Sequence, residues 1–124
     1  MSDDARIMEK VTRVGHLYDC YGQLLTERQR QMVELHYFDD WSLAEIAEHF
    51  GVSRQAVHDN LRRAEEQLEA YEAVLSMAAG AAVLRRMLAA WPRVAACLPE
   101  SERDRFAGWL RELAAVLRTP WEEG

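Results

Sequence analysis

Apolar residues recur along this chain at alternating steps of three and four, the spacing that places them on one face of an α-helix. The first such stripe predicts a helix over residues 7–24 and consists of Ile7, Val11, Val14, Tyr18, Tyr21 and Leu25. Thr26 then suits an N-cap position, and Glu27 places negative charge in the first turn of a second helix. We expect that helix to end at the acidic pair Asp39 and Asp40.

The segment SLAEIAEHFGVSRQAVHDNLRR, residues 42–63, predicts two helices joined by a tight turn. Ser42 and Glu45 have the S-x-x-E spacing of a capping box, in which each side chain satisfies an amide at the helix start. Gly51 stands where a helix end needs a positive φ, and Ser53 can cap the next helix two residues later. The arrangement is typical of a helix-turn-helix corner.

The helix that begins at Arg54 carries a strict seven-residue apolar repeat. Its members are Val57, Leu61, Ala64, Leu68, Tyr71, Leu75 and Ala78. Nothing in the pattern interrupts it before Gly80, and a helix continuous to Met77 would be about 36 Å long. Two partners could cover the stripe: a second copy of the chain in a coiled-coil seam, or the first helix. The candidate residues for an oligomer or partner interface are Leu61, Leu68, Tyr71 and Leu75.

The last third of the chain predicts a helical hairpin. An Ala-rich helix stops near Pro99, and Ser101 with Asp104 resembles a capping box ahead of a final helix that ends at Pro120. The Trp and Phe residues of this hairpin are typical of a core or an interface. The predicted fold is therefore all-α. A helix-turn-helix domain with a long final helix occupies residues 1–79, and an amphipathic extension, residues 80–124, packs on the same core or on a partner chain.

The charge of the chain limits how it could bind nucleic acid. The net charge is −6, with 8 basic against 11 acidic residues in 1–63 and 7 against 10 in 64–124. Proteins that bind duplex DNA usually gather Lys and Arg on one face, since counterion release supplies most of the non-specific affinity. Any such face must be small and local here.

A helical wheel places a polar row opposite the apolar stripe of the helix that begins at Arg54. Gln can read adenine and Arg can read guanine through two hydrogen bonds each, so this row suits a recognition helix in the major groove. The candidate nucleic-acid-binding residues are Ser53, Arg54, Gln55, His58, Asp59, Arg62 and Arg63.

Alternatively, this row is an ordinary solvent-exposed helix face. Glu65 and Glu66 follow Arg62 by three and four residues, the spacing at which they form ion pairs with it. Beyond Arg63 the face is expected to turn acidic through Glu66, Glu69 and Glu72, which confines any groove contact to the first two turns.

The sequence contains no pattern typical of a catalytic site or a metal site. The four histidines are scattered, no nucleophile has a base at suitable spacing, and no glycine-rich phosphate loop occurs. We predict a non-enzyme with no cofactor. Cys20 and Cys97 favour buried free thiols in the reducing cytoplasm, and no secretory segment or membrane-length apolar run is present.

The run SLAEIAEHFGVSRQAVHDNLRRAE, within residues 8–75, resembles the YlxM family of small bacterial proteins. More distantly, LTERQRQMVELHYFDDWSLAEIAEHFGVS resembles the C-terminal promoter-reading domain of bacterial sigma factors. The resemblance implies a sigma-like helix-turn-helix protein with no catalytic residue. The family's recognition-helix motif falls on Ser53, Arg54, Gln55, Ala56, Val57, Asp59, Asn60 and Arg63.

The YlxM resemblance also implies an accessory or regulatory role in the signal recognition particle pathway, with the particle's GTPase, its receptor or its RNA as partner. The alternative is a homodimeric regulator that reads duplex DNA at a palindromic site. A helical scaffold with neither partner is a third possibility. The sequence does not decide among DNA, RNA and protein partners, or between monomer and dimer.

Overall fold

The computed structural model describes residues 3–121, and among them the chain forms helices and turns with no strand. These residues contain six α-helices: α1 (Asp3–Tyr21), α2 (Glu27–Val33), α3 (Leu43–Phe50), α4 (Arg54–Leu75), α5 (Met77–Ala95) and α6 (Glu100–Val116). A 3₁₀ turn, Gly22–Leu24, follows α1, and a π-helical turn, Glu34–Phe38, extends α2. The predicted all-α class is confirmed.

The chain divides into two compact units. The first is Met1–Leu75 and holds α1 to α4, and the second is Ser76–Gly124 and holds α5 and α6. The division falls after Leu75, whereas the predicted boundary lay after residue 79.

Helix α1 contributes a shorter buried stripe than its sequence pattern predicted. The helix begins at Asp3, and Val14, Leu17 and Tyr21 are its buried residues. Ile7, the first residue of the predicted stripe, is 60% exposed. The part of α1 that enters the core therefore lies in its second half.

Side-chain caps start α2 and α3 where the sequence predicted them. The Thr26 hydroxyl accepts from the Gln29 amide at 3.2 Å, and the Gln29 side chain accepts from the Thr26 amide at 3.0 Å. Ser42 and Glu45 form the same reciprocal pair, with both distances 3.1 Å. The hydrogen bonds from the Ser42 amide and hydroxyl lower the pKa of the Glu45 carboxyl. Both N-caps are confirmed, and Gln29 makes the first one a full capping box.

The corner between α3 and α4 is built as the sequence predicted. Gly51 adopts a left-handed conformation with φ of 68°, which is easily reached only by a residue without a Cβ. The Ser53 hydroxyl accepts from the Ala56 amide at 3.0 Å and so caps the start of α4. Two fixed helix ends therefore set the direction in which α4 leaves the corner.

Helix α4 is the centre of the first unit, since α1, α2 and α3 all contact it. Val57, Ala64 and Leu68 are fully buried, and Leu61 is 5% exposed. The first helix and its neighbours thus cover the first four members of the heptad stripe, which is the second of the two packings that the sequence left open.

Carboxylates on the second half of α4 bind α1 to it. Glu69 accepts two hydrogen bonds from the Arg13 guanidinium, both at 2.9 Å, and this contact lowers the pKa of the Glu69 carboxyl. Glu72 is buried and accepts from the Tyr21 hydroxyl at 2.6 Å. Polar contacts at one edge of the apolar row therefore reinforce the α1–α4 packing.

Glu65 and Glu34 bind further tyrosines. Glu65 lies 3.4 Å from the Lys10 ammonium and accepts a hydrogen bond from the Tyr37 hydroxyl. The Tyr18 hydroxyl donates to Glu34, and burial together with this hydrogen bond raises the pKa of Tyr18 to about 12. These contacts hold the π-helical turn next to α1 and α4.

The prediction that nothing interrupts α4 before Gly80 is wrong. The helix ends at Leu75, and Ser76 adopts a left-handed conformation with φ of 54°, which an α-helix cannot contain. Helix α5 starts directly afterwards, at Met77, with its first hydrogen bond from the Gly80 amide to the Ser76 carbonyl. Gly80 therefore lies inside α5 and marks no boundary.

In the second unit α5 and α6 form the predicted hairpin. Leu84 and Leu88 of α5 pack with Leu110 and Ala114 of α6, and three partly buried residues pack against this cluster: Trp91, Leu117 and Trp121.

The predicted capping box at Ser101 is wrong. Helix α6 begins at Glu100 after Pro99, without a side-chain cap, so Ser101 and Asp104 lie inside the helix. Arg103 instead donates to the carbonyls of Ala95 and Leu98, both at 3.0 Å, and so satisfies the end of α5.

Among residues 3–121 no single helix is both long and apolar enough to cross a membrane. Only α4 and α5 taken together, across the break at Ser76, reach the required length and composition.

The Tyr21–Glu72 contact makes a testable contribution to stability. In Tyr21→Phe the buried Glu72 carboxylate loses a charge-assisted hydrogen bond, and we expect the free energy of unfolding at pH 7 to fall by about 2 kcal/mol. Urea unfolding followed by circular dichroism measures this change. Tyr71→Phe is the matched control, with an expected loss below about 0.5 kcal/mol, because the Tyr71 hydroxyl lies 3.5 Å from its acceptor, the Leu24 carbonyl. Equal losses in the two variants would contradict the role given to Glu72.

Candidate nucleic-acid interface

The polar row predicted on α4 lies on the solvent side of its first turns. Six of the seven candidate residues are exposed: Ser53, Arg54, Gln55, His58, Arg62 and Arg63. Asp59 is partly buried, and Ser53 caps the helix start. The structure therefore brings all seven together on one helix end, opposite the buried row that begins at Val57.

Contacts within the row hold its side chains in the unbound protein. The Gln55 amide donates to the Asp59 carboxylate at 2.9 Å, and the His58 Nδ1 lies 3.6 Å from the same oxygen. The Gln55 hydrogen bond is the largest cause that lowers the pKa of Asp59, with His58 and Arg62 adding to it. A carboxylate thus lies in the middle of the row, and Gln55 must leave it to bind a base.

The Arg62 side chain is 63% exposed and that of His58 is 57% exposed. The Arg62 Nε lies 3.7 Å from the Glu66 carboxylate, one turn further along α4. An exposed ion pair with this separation contributes little to stability. Arg62 can therefore leave Glu66 for a base or a phosphate at little cost in free energy.

The expected acidic continuation of this row is wrong for Glu72, which is buried, whereas Glu66 and Glu69 are exposed. Glu69 and Glu72 bind Arg13 and Tyr21 of α1, and Glu65 binds Lys10 and Tyr37, so these carboxylates lie toward the first unit's own helices. The Glu69 side chain stays 53% exposed while it pairs with Arg13, and Glu66 lies beside Arg62 of the candidate row.

Arg28 of α2 was not identified from the sequence. Its guanidinium carbon lies 4.6 Å above the centre of the Phe50 ring, which ends α3 beside the Gly51 turn. A cation over an aromatic face is held by the ring's electron density. The contact adds a positive charge to the helix-turn-helix corner, and no local pattern announces it because its partners are 22 residues apart.

The predicted interface residues of α4 occupy different environments. Leu61 and Leu68 are in the core of the first unit, covered by its own helices. The Tyr71 ring is partly buried, with its centre 6.0 Å from that of Tyr21. Leu75 is 53% exposed. Of these four, only Leu75 and part of Tyr71 can meet another molecule while the first unit stays folded.

Residues 3–121 contain no group of three or more His, Cys, Asp or Glu side chains placed to hold a metal ion. Cys20 and Cys97 are not joined in a disulfide. Cys20 is partly buried, whereas Cys97 is exposed, which corrects the expectation that both are buried.

Comparisons with known proteins identify a helix-turn-helix family. Residues 8–92 match a family described as "Putative helix-turn-helix protein, YlxM / p13 like". A UPF0122 protein from Streptococcus equi subsp. zooepidemicus is 57% identical over 70 residues, which cover 56% of this chain and 62% of that protein. One from Streptococcus gordonii is 56% identical over 70 residues, 56% of this chain and 64% of that protein.

A relative from Halalkalibacterium halodurans is 53% identical over 73 residues, which cover 59% of this chain and 67% of that protein. The chain therefore spans less than two thirds of the length of the two streptococcal relatives. The family description names a structural motif and no enzyme activity.

The carboxylate at the centre of the row gives a prediction for any nucleic-acid ligand. Asp59→Asn removes a charge that phosphates repel, so we expect the affinity for random-sequence duplex DNA at low salt to rise about two- to fivefold. Fluorescence anisotropy with a labelled duplex measures it. Glu100→Gln, the same charge change at the start of α6, is the control and should leave affinity unaltered. A fall in affinity in Asp59→Asn would instead mean that this carboxylate accepts a hydrogen bond from a base.

Proposed function

Because the chain belongs to the helix-turn-helix family described as YlxM / p13 like, we propose that it is a non-enzymatic regulatory protein that binds duplex DNA through α4. In this proposal α4 enters the major groove with its first two turns. Gln55, His58 and Arg62 face the base edges, and Arg54 and Arg63 lie beside the phosphates.

The observation that carries the proposal is the division of α4 into two opposite sides at a capped corner. Val57, Leu61 and Ala64 are buried, while Gln55, His58 and Arg62 project on the other side. A recognition helix needs this division, because the buried side fixes its orientation while the other side enters the groove. The caps at Ser42 and Ser53 hold both helices of the corner in place.

The internal use of acidic residues supports the same proposal. Glu65, Glu69 and Glu72 are bound by side chains of the first unit, so their charges are partly compensated before any ligand arrives. Glu66 remains beside Arg62 and limits the usable length of α4 to about two helical turns.

Two arginine substitutions test the assignment of base and phosphate contacts. A duplex is first selected from a random library at low salt, and its affinity is then measured across a salt series. Arg62→Ala should cost about 1–3 kcal/mol on the selected duplex and relax the preference for one base. Arg63→Ala should weaken all duplexes similarly and reduce the log–log salt slope by about one.

Arg85→Ala is the matched control for both, since it removes the same charge from an exposed position on α5. It should bind like the unaltered protein. If the library yields no enriched duplex, or if all three variants behave alike, α4 does not read DNA.

A second candidate, favoured by the net charge of −6, is an accessory role in the signal recognition particle pathway. The resemblance to the YlxM family implies this role, and an acidic protein can dock on a basic protein or ribonucleoprotein by charge complementarity. Both candidates require a cytoplasmic protein.

Titration of the full chain against three separate ligands tests the second candidate: the particle's GTPase, its receptor and its RNA. We expect a dissociation constant in the micromolar range or below for at least one of them. RNA binding that Arg62→Ala abolishes would use the same face of α4 as DNA. Absence of binding to all three at concentrations of tens of micromolar would eliminate this role.

A further inference from the structure

The second unit carries large apolar side chains that its own hairpin leaves in solvent. On α5 they are Val83, Met87 and Val94, which are 47–48% exposed. On α6 they are Phe106, Trp109, Leu113 and Val116, which are 40–65% exposed. Both sets follow the seven-residue spacing of a coiled-coil stripe. A soluble helix normally turns such a stripe toward a partner.

The two stripes lie on the same side of the hairpin. Helices α5 and α6 run antiparallel, since Gly80 near the start of α5 lies against Leu117 after the end of α6. On each helix the exposed stripe is rotated by about 100° from the row that faces the other helix, because successive residues are about 100° apart in an α-helix. When α5 and α6 are viewed from the same end, this rotation is clockwise on one helix and anticlockwise on the other, because the two helices are antiparallel. The two exposed stripes therefore lie on one common face of the hairpin.

The other side of the hairpin has a different character. Arg85, Asp104 and Arg111 line a cleft there together with Trp121. These three charged side chains thus lie on one side, and the seven apolar side chains lie on the other, which we call the apolar face. The contrast marks the apolar face as a surface to be covered.

We infer that the apolar face is covered by the same face of a second copy, so that two hairpins form a four-helix bundle. The seven exposed side chains offer about 700 Å² per copy, taking about 200 Å² for a large apolar side chain, half of it exposed. A stable interface buries about 800 Å² per partner, so the polar residues that flank the stripes need to add only a modest rim. A face that repeats on its partner is also self-complementary under two-fold symmetry.

The size of the hairpin core favours the same occupant. Four buried residues, two leucines on α5 and Leu110 with Ala114 on α6, make up its buried cluster. A two-helix unit of this size has too small a core to be stable by itself, and oligomerisation is one of the usual remedies. The bundle would give each hairpin a second layer of apolar contacts.

Charge selects between the two symmetric ways of pairing the hairpins. Every charged residue of α5 is an arginine: Arg85, Arg86 and Arg93. Helix α6 carries four acidic and three basic residues. Placing α5 against α5 of the other copy would bring arginines together, whereas placing α5 against α6 would not. The second arrangement has its two-fold axis parallel to the helices, so that both α5–α6 turns lie at one end of the bundle.

This dimer differs from the coiled-coil seam along α4, whose Leu61 and Leu68 are buried inside the first unit. It is also independent of what α4 binds. The dimer would carry two helix-turn-helix corners, so a DNA ligand would contain two half-sites.

Sedimentation of the full chain at about 1–100 μM tests the dimer. We expect a dimer for the unaltered protein and a monomer for Trp109→Glu and Leu113→Glu, with unchanged helicity by circular dichroism. Val74→Glu is the control, because Val74 is 81% exposed on α4 and should tolerate the charge without loss of the dimer. A monomer at all concentrations overturns the inference. So does a dimer that survives both substitutions on α6 but is lost in Leu75→Glu.

The arrangement is tested through Cys97, the exposed thiol in the α5–α6 turn. In a Cys20→Ala background, a bismaleimide that spans about 10 Å, the distance between packed helices, should join the two copies. The same reagent should leave Trp109→Glu uncrosslinked. A dimer by sedimentation that the reagent does not join would overturn the pairing of α5 with α6.

Discussion

The apolar row of α4 is the surface on which the first unit depends. Helices α1, α2 and α3 all pack on α4, whose Val57, Leu61, Ala64 and Leu68 are buried. Burial of one large aliphatic side chain contributes about 1.5–3 kcal/mol, so this row supplies a large share of the unit's stability. It also fixes the rotation of α4 about its own axis. The side chains that face solvent near the Ser53 cap are set by that rotation.

The acidic composition of the chain gives a misleading picture of its charged surface. Glu65, Glu69 and Glu72 lie on α4, yet each is bound by a side chain of α1 or of the π-helical turn. These carboxylates act as anchors between helices, where an apolar contact would fix distance but not register. The net charge of −6 therefore overstates the negative field near the start of α4.

Local signals predicted the helix-turn-helix corner well. Ser42 with Glu45, Gly51 and Ser53 each act within a few residues, so a single sequence contains all the information that their geometry needs. The seven candidate residues on α4 followed from the same corner, because its caps fix where the helix starts.

The errors have different physical causes. Helix α4 ends at Leu75, before Ser76 in a left-handed conformation, although Gly80 offered the stronger local signal. At Ser101 the sequence suggested a cap, but Arg103 satisfies the preceding carbonyls from within α6. The positions of Glu69 and Glu72 depend on α1, more than 50 residues away. No pattern within α4 alone reports on that neighbour.

The π-helical turn Glu34–Phe38 has a consequence for comparing this chain with its relatives. Its Asp39 amide bonds to the Glu34 carbonyl, five residues back, so the turn holds one residue more than a turn of α-helix. A relative that lacks one residue between positions 34 and 38 could close an ordinary helical turn there. Met32 and Val33 on one side and the Ser42 cap on the other would keep their places. Single-residue length differences at this point therefore need not signal a different fold.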